Sequence, residues 1–109
     1  MSETERLLAR DKLARTLEQM LDGKLSYIEG SRALNSISKA AGYDWLSEPF
    51  VTFVAIASET DAVPMGKVRD LWHPDAIAKH AGKWNQSEEW AKQVGEPACR
   101  EALALVRGA

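Results

Sequence analysis

The chain of 109 residues is 45% hydrophobic and 28% charged, carries a net charge of −2 and contains one cysteine. That length suits one domain, and it is long enough to bury a core without metals or disulfides. A single cysteine excludes an internal disulfide. The lack of a dominant basic patch argues against nucleic acid as a partner, and no run approaches the ~20 apolar residues of a membrane span.

The first predicted element is a helix from Glu3 to Leu21. Ser2 and Glu5 have capping-box spacing. Leu7, Leu13, Ala14, Leu17, Met20 and Leu21 recur at three- and four-residue steps and form its apolar face, and Gly23 is its natural stop. The charged stretch Met1–Arg15 has the character of neither a signal peptide nor a membrane span. The second helix starts after Ser26, where Ser26 and Glu29 repeat the capping-box spacing. It buries Ile28, Ala33, Leu34, Ile37 and Ala41 and closes at Gly42. Gly30 inside it costs on the order of 1 kcal/mol relative to Ala, and close packing against the first helix is the reason to expect a glycine there. The short link Asp22–Leu25 favours an antiparallel hairpin.

Tyr43 to Glu48 reads as a connector, with Ser47 the expected N-cap and Pro49 in the first turn of the next element. The run Phe50–Ala57 is the most apolar in the chain. Its β-branched content suits a buried strand, whereas its length and the Phe50, Phe53, Val54, Ala57 spacing suit a buried helix. The absence of a second strand to pair with it selects the helix, as the central element of the fold. After the Pro64–Gly66 turn come a short helix from Lys67 to Leu71 and another beginning at Pro74. This one carries Ile77, Ala81 and Trp84 toward Val94, and Gly82 or Asn85–Ser87 are candidate breaks. Gly95 and Pro97 mark the boundary to a last helix, Pro97 to Arg107, which packs Cys99, Ala102, Leu103 and Val106. The expected fold is all-α: a compact single-domain bundle of about five helices.

The densest polar cluster, Ser58, Glu59, Thr60 and Asp61, leaves directly after the apolar run. Arg69 is placed to fold back on Glu59 or Asp61 as a bidentate pair, and Thr60 or Asp61 to cap the helix that follows. With Trp72 and His73 these residues make either a structural turn or a ligand turn. Glu59 and Asp61 are close enough for acid–base chemistry, but a surface turn gives no reason for their acidities to diverge. His73 and His80, seven apart, have the wrong spacing for a shared metal ion. Next to Pro74, His73 is expected to cap a helix or to pack beside Trp72. No catalytic residue, metal ligand or cofactor follows from the pattern. Trp84 and Trp90, six apart, cannot both face one core unless the helix breaks between them. Cys99 reads as a buried structural thiol, and free thiols fit a reducing, cytoplasmic compartment.

Between Lys39 and Lys67 there is no Lys or Arg, while Asp44, Glu48, Glu59 and Asp61 fall inside that window. With Trp45 as anchor, these four acids form the expected partner-binding set, because opposite charge speeds encounter with a basic protein. A small-molecule or catalytic pocket beside the Ser58–Asp61 turn is the alternative, and a homodimer through an exposed apolar strip is a third possibility.

The segment Phe50-x-x-Phe53-x-Ala55-x-x-Ser58-Glu59-Thr60-Asp61-x-x-Pro64-x-Gly66-x-x-Arg69-x-x-Trp72 resembles the signature of a family of small bacterial helical proteins of unknown function. The stretch Gly23, Leu25, Ser26, Ile28, Glu29, Gly30, Ser31, Arg32 resembles the one in which their opening helix ends. The resemblance spans Leu21 to Leu105. It implies a bacterial cytoplasmic origin and no established activity. By analogy of size and charge alone, an immunity-type protein that neutralises a basic toxin is the expected form of the protein-binding function.

Overall fold

The computed structural model describes residues 2–108; Met1, the first residue of the charged N-terminal stretch, lies outside them. Five helices follow one another: α1 (Glu3–Leu21), α2 (Tyr27–Ala40), α3 (Val51–Glu59), α4 (Gly66–Asp70) and α5 (Pro74–Gly108). The described residues contain no strand, so the all-α expectation holds. No helix among them is long and apolar enough to cross a membrane.

Local sequence explains the first hairpin. The Ser2 hydroxyl accepts from the Glu5 amide at 3.1 Å and the Ser26 hydroxyl from the Glu29 amide at 2.9 Å, the hydroxyl half of each capping box. Gly23 takes φ +76°, which lets the chain leave α1 and re-enter at Ser26 within four residues. Gly30 lets α2 approach α1: a Cβ there would lie 2.4 Å from Met20 Sδ. Leu13, Leu17 and Met20 of α1 meet Ile28, Leu34 and Ile37 of α2 in the core. Leu7, by contrast, is more than half exposed. Its register matches the apolar face, but the bundle begins to cover α1 only further along, at Leu13.

The run after Pro49 is a helix, as its spacing indicated, yet it is not the central element. In α3 only Phe53 and Ile56 are buried, and Phe50 just before it and Thr60 just after it extend the same face. α3 packs on α2 and α5, whereas α2 and α5 each pack on three other helices. Ser47 does not cap α3 with its hydroxyl, which donates instead to Asp44 Oδ2 at 2.7 Å; its carbonyl accepts from the Val51 amide at 2.9 Å. Pro49 lies ahead of the helix, not in its first turn, and is buried.

The largest correction concerns the C-terminal third. Gly82, Asn85–Ser87, Gly95 and Pro97 do not break the chain: α5 is one helix of 35 residues. At 1.5 Å per residue it is about 50 Å long and sets the 48 Å long dimension of the molecule. Gly95 is there because α5 crosses α2 and α3 at close range. A Cβ at this position would lie 2.8 Å from the Tyr27 ring and 3.1 Å from Ile56 Cδ1. Pro97 has no N–H to give to the Gln93 carbonyl, but both residues are exposed and water can take the missing place. Ahead of Trp84 no residue of the helix is fully buried, although Ile77 still packs against the core.

Cys99 is fully buried beside Met20, with Sγ 4.0 Å from Sδ. Burial pushes its thiol up from the ordinary 9.0 to about 12, and burial likewise raises the Tyr27 phenol from 10.0 to about 12. Both groups lose protons more readily when unfolded. Their contribution to stability is therefore intact below pH 9 and is lost as pH rises from about 9 to 12. Chemical denaturation at pH 7, 9 and 11 should show a midpoint that falls only in the alkaline arm, and the native thiol should resist a thiol reagent at pH 8.

Candidate functional site

Arginine builds the corner where α3 ends, but a different arginine from the expected one. Arg32 of α2 reaches across with Nη2, which donates to the Thr60 carbonyl at 2.6 Å and to the Val63 carbonyl at 2.8 Å. These carbonyls belong to residues that are themselves buried. The Thr60 hydroxyl donates to the Ile56 carbonyl at 2.6 Å and so closes α3; it does not cap α4. Asp61 does not cap α4 either, which starts at Met65 without a side-chain cap. Arg69 pairs with neither Glu59 nor Asp61. Its Nε donates to the Pro64 carbonyl at 2.9 Å, and its guanidinium lies 4.9 Å from the Trp84 ring centroid. The carbonyls left free by a helix end and a tight turn are stronger claims on a guanidinium than exposed carboxylates that water already solvates.

Arg69 thereby fastens the turn to an aromatic cluster on α5. The His80 ring stacks on Trp84 at 5.6 Å, and Trp72 stands edge-on to both, at 5.3 Å from Trp84 and 5.9 Å from His80. His73 caps α5, its Nδ1 accepting from the Asp75 amide at 3.1 Å. Trp84 is buried, whereas Trp72 is 37% and Trp90 38% exposed, so the two tryptophans on α5 do part, one inward and one outward.

Between the end of α3 and α5 runs a groove of two joined clefts. One, of about 300 Å³, has Trp72, His80 and Trp84 on its walls; the other, of about 290 Å³, has Gln86 and Trp90. Glu59, Lys83 and Ser87 line both. Glu59, Asp61 and Lys83 are exposed, and none has an ion-pair partner among the described residues. The groove thus offers a half-exposed tryptophan at each end and an unpaired anion and cation in the middle. Ser58 and Asp61, both exposed, lie outside both clefts.

The remaining acids of the Lys- and Arg-free window lie elsewhere. Asp44, Trp45 and Glu48 precede α3, while Glu59 is its last residue and Asp61 follows it, about 13 Å further on across nine residues. Asp44 is engaged in its own turn, accepting from Ser47 Oγ and from the Leu46 amide at 3.0 Å. Those bonds, the Ser47 one foremost, hold its carboxyl below the usual carboxylate range. Trp45 is half-buried, not a projecting anchor.

A larger cleft of about 390 Å³ opens between the α1–α2 hairpin and α5, lined by Leu25, Ser26, Tyr27, Glu88 and Lys92 among others. Glu88 Oε2 already accepts from the Ile28 amide at 3.2 Å, so α5 itself supplies the anion that the positive end of α2 attracts. No group of three or more metal-ligating side chains is gathered among the described residues.

Sequence reasoning missed Arg32, Lys83 and Ser87. Arg32 stood in the hairpin motif without an assigned task. Lys83, Ser87 and Trp90 have i, i+4, i+7 spacing, a one-face helical stripe that a break at Asn85–Ser87 conceals. No family model, curated protein or solved structure gives a significant match to this chain.

Proposed function

We propose that the chain is a protein-binding module whose recognition surface is the groove between α3 and α5. The observation that carries this reading is the groove's composition: Trp72 and Trp90 half-exposed at its ends, with Glu59 and Lys83 uncommitted between them. Tryptophan supplies a large contact area at small entropic cost and is enriched among residues that dominate binding energy. Unpaired charges of both signs favour a partner of matching pattern and penalise others. The residues behind the surface are occupied in holding it: Arg32, Thr60, Pro64 and Arg69 spend their polar groups on the turn. The side chains of Glu59, Asp61, Lys83 and Trp90 have no such duty.

Glu59 and Asp61 select for a partner that presents basic groups. Neutralisation of a basic toxin, the role suggested by size and charge, is one form of this function, and the identity of a captured partner decides it. The expected result is that Glu59→Lys with Asp61→Lys weakens binding to a captured partner by roughly tenfold or more and leaves the helical circular dichroism unchanged, since both side chains are exposed. Retained affinity in this double variant places the contact elsewhere; a lost helical signal makes the cluster structural.

A further inference from the structure

We infer that α3 is a strap that lifts from α2 while the rest of the bundle stays folded, and that a row of buried polar side chains on α2 sets how often it does so. The inference does not depend on what enters the groove.

The row is Ser31, Asn35 and Ser38. Their spacing of i, i+4 and i+7 puts them on one face of α2. That face lies between Gly30, which meets Met20 of α1, and Arg32, which meets Thr60 and Val63. The chain passes from the end of α2 to the start of α3, and Arg32, in the first half of α2, reaches the residues that follow α3. The two helices therefore run antiparallel along this face. Ser31 is 0% and Ser38 1% exposed. Both hydroxyls and the Asn35 Oδ1 atom are buried without a hydrogen-bond partner among the described residues. A hydroxyl inside a helix can turn to the carbonyl four residues back. Thr16 and Thr60 do so, donating to the Lys12 and Ile56 carbonyls at 2.8 and 2.6 Å, whereas Ser31 and Ser38 do not. A buried polar atom without a partner carries its desolvation cost, and water removes that cost once the face is uncovered. The row thus weights the balance toward a lifted α3.

The strap is also lightly seated. α3 has nine residues, of which only Phe53 and Ile56 are buried. By contrast α1, α2 and α5 all pack on one another, a three-helix body that is continuous without α3. The fastenings of the strap sit at its ends. Ahead of it the Phe50 ring lies 5.0 Å from the Tyr43 ring. Behind it the half-buried Arg32 holds the turn, and α4, which buries no residue, is held to Trp84 by Arg69 and Trp72. Glu59 is the last residue of α3 and Lys83 belongs to α5, so each lift widens the groove that they line.

Native-state hydrogen exchange on the full chain reads the lift directly. The amides of residues 55–59 are expected to exchange together, roughly tenfold or more faster than those of residues 13–20 in α1. Low denaturant should quicken them less than it quickens α1, because a lift exposes less surface than unfolding does. Ser31→Ala with Ser38→Ala removes two buried hydroxyls and is expected to slow exchange in α3 by roughly tenfold or more. Ser36→Ala is the control. Ser36 is exposed on the other side of α2, so this change brings a similar gain in helix propensity and leaves the contact with α3 untouched. Because α2 stays helical whether α3 is seated or lifted, the control should not alter the exchange of α3. Exchange in α3 no faster than in α1 overturns the inference. So does a double variant in which α3 exchanges as fast as in wild type or faster, which would mean that the hydroxyls are satisfied, and so does a Ser36→Ala variant that slows α3 equally.

Discussion

Arg32→Ala is expected to destabilise the protein by about 2–4 kcal/mol. One guanidinium nitrogen satisfies two carbonyls, those of Thr60 and Val63, at 2.6 and 2.8 Å. Hydrogen bonds from a charged donor contribute roughly 1.5–3 kcal/mol each, and an acceptor stranded in a buried turn costs its desolvation as well. The loss is a large fraction of the ~5–15 kcal/mol that holds a domain of this size. Arg32→Lys keeps the charge, but its ammonium ends a shorter side chain than Nη2 does, so it should recover only part of the loss. The damage should also be local. Hydrogen exchange in Arg32→Ala is expected to quicken first at residues 60–65, and partner binding should fall with it because Glu59 and the Pro64 turn form one lip of the groove. Thermal and denaturant unfolding measure the first effect, amide exchange the second. A variant as stable as wild type would mean that the turn holds itself.

Gly95→Val is expected to cost about 3 kcal/mol or more. Its Cβ would sit 2.8 Å from the Tyr27 ring and 3.1 Å from Ile56 Cδ1, and the two further methyl groups have no free volume nearby. Overpacking a dense core typically costs about 1–3 kcal/mol, and the first obstacle here is a buried aromatic ring, not the pliable end of a long chain. Gly82 in the same helix is the control. Nothing lies within 4 Å of a Cβ there, so Gly82→Ala should stabilise by up to ~1 kcal/mol through helix propensity alone. Opposite signs at two glycines of one helix separate a packing requirement from a helix-breaking one. If both substitutions stabilise, the crossing of α5 over α2 and α3 is not where the structure puts it.

These two positions also mark where sequence reasoning reached its limit. Periodicity located α1 and α2, and the capping serines fixed their starts. α3 was selected by the lack of a strand to pair with, and it buries Phe53 and Ile56, whereas Val54 and Ala57 of the expected face are only half-buried. Sequence reasoning misread Gly95 and Pro97 because local propensity treats both as stops. Only the neighbours in space reveal that one glycine serves a three-helix crossing and that the proline's missing bond faces water. The same limit applies to the arginines. Arg69 is adjacent in sequence to the acids and Arg32 is not, yet Arg32 reaches the turn across 28 and 31 residues. The groove was half legible: Glu59 and Trp72 came from the motif, while Lys83 and Ser87 required α5 to be continuous. The acidic window, uniform along the chain, is divided in space by α3 and partly consumed by the Asp44 turn.

The claim on which the functional account stands is that the α3–α5 groove meets another protein. A photo-crosslinking residue in place of Ser87, at the floor of both clefts, addresses it directly in the source cell; the same residue in place of the exposed Arg15 on α1 is the control. The expected result is a discrete protein adduct from position 87 that disappears with Glu59→Lys and is absent from position 15. No adduct at 87, or the same adduct from both positions, would contradict it.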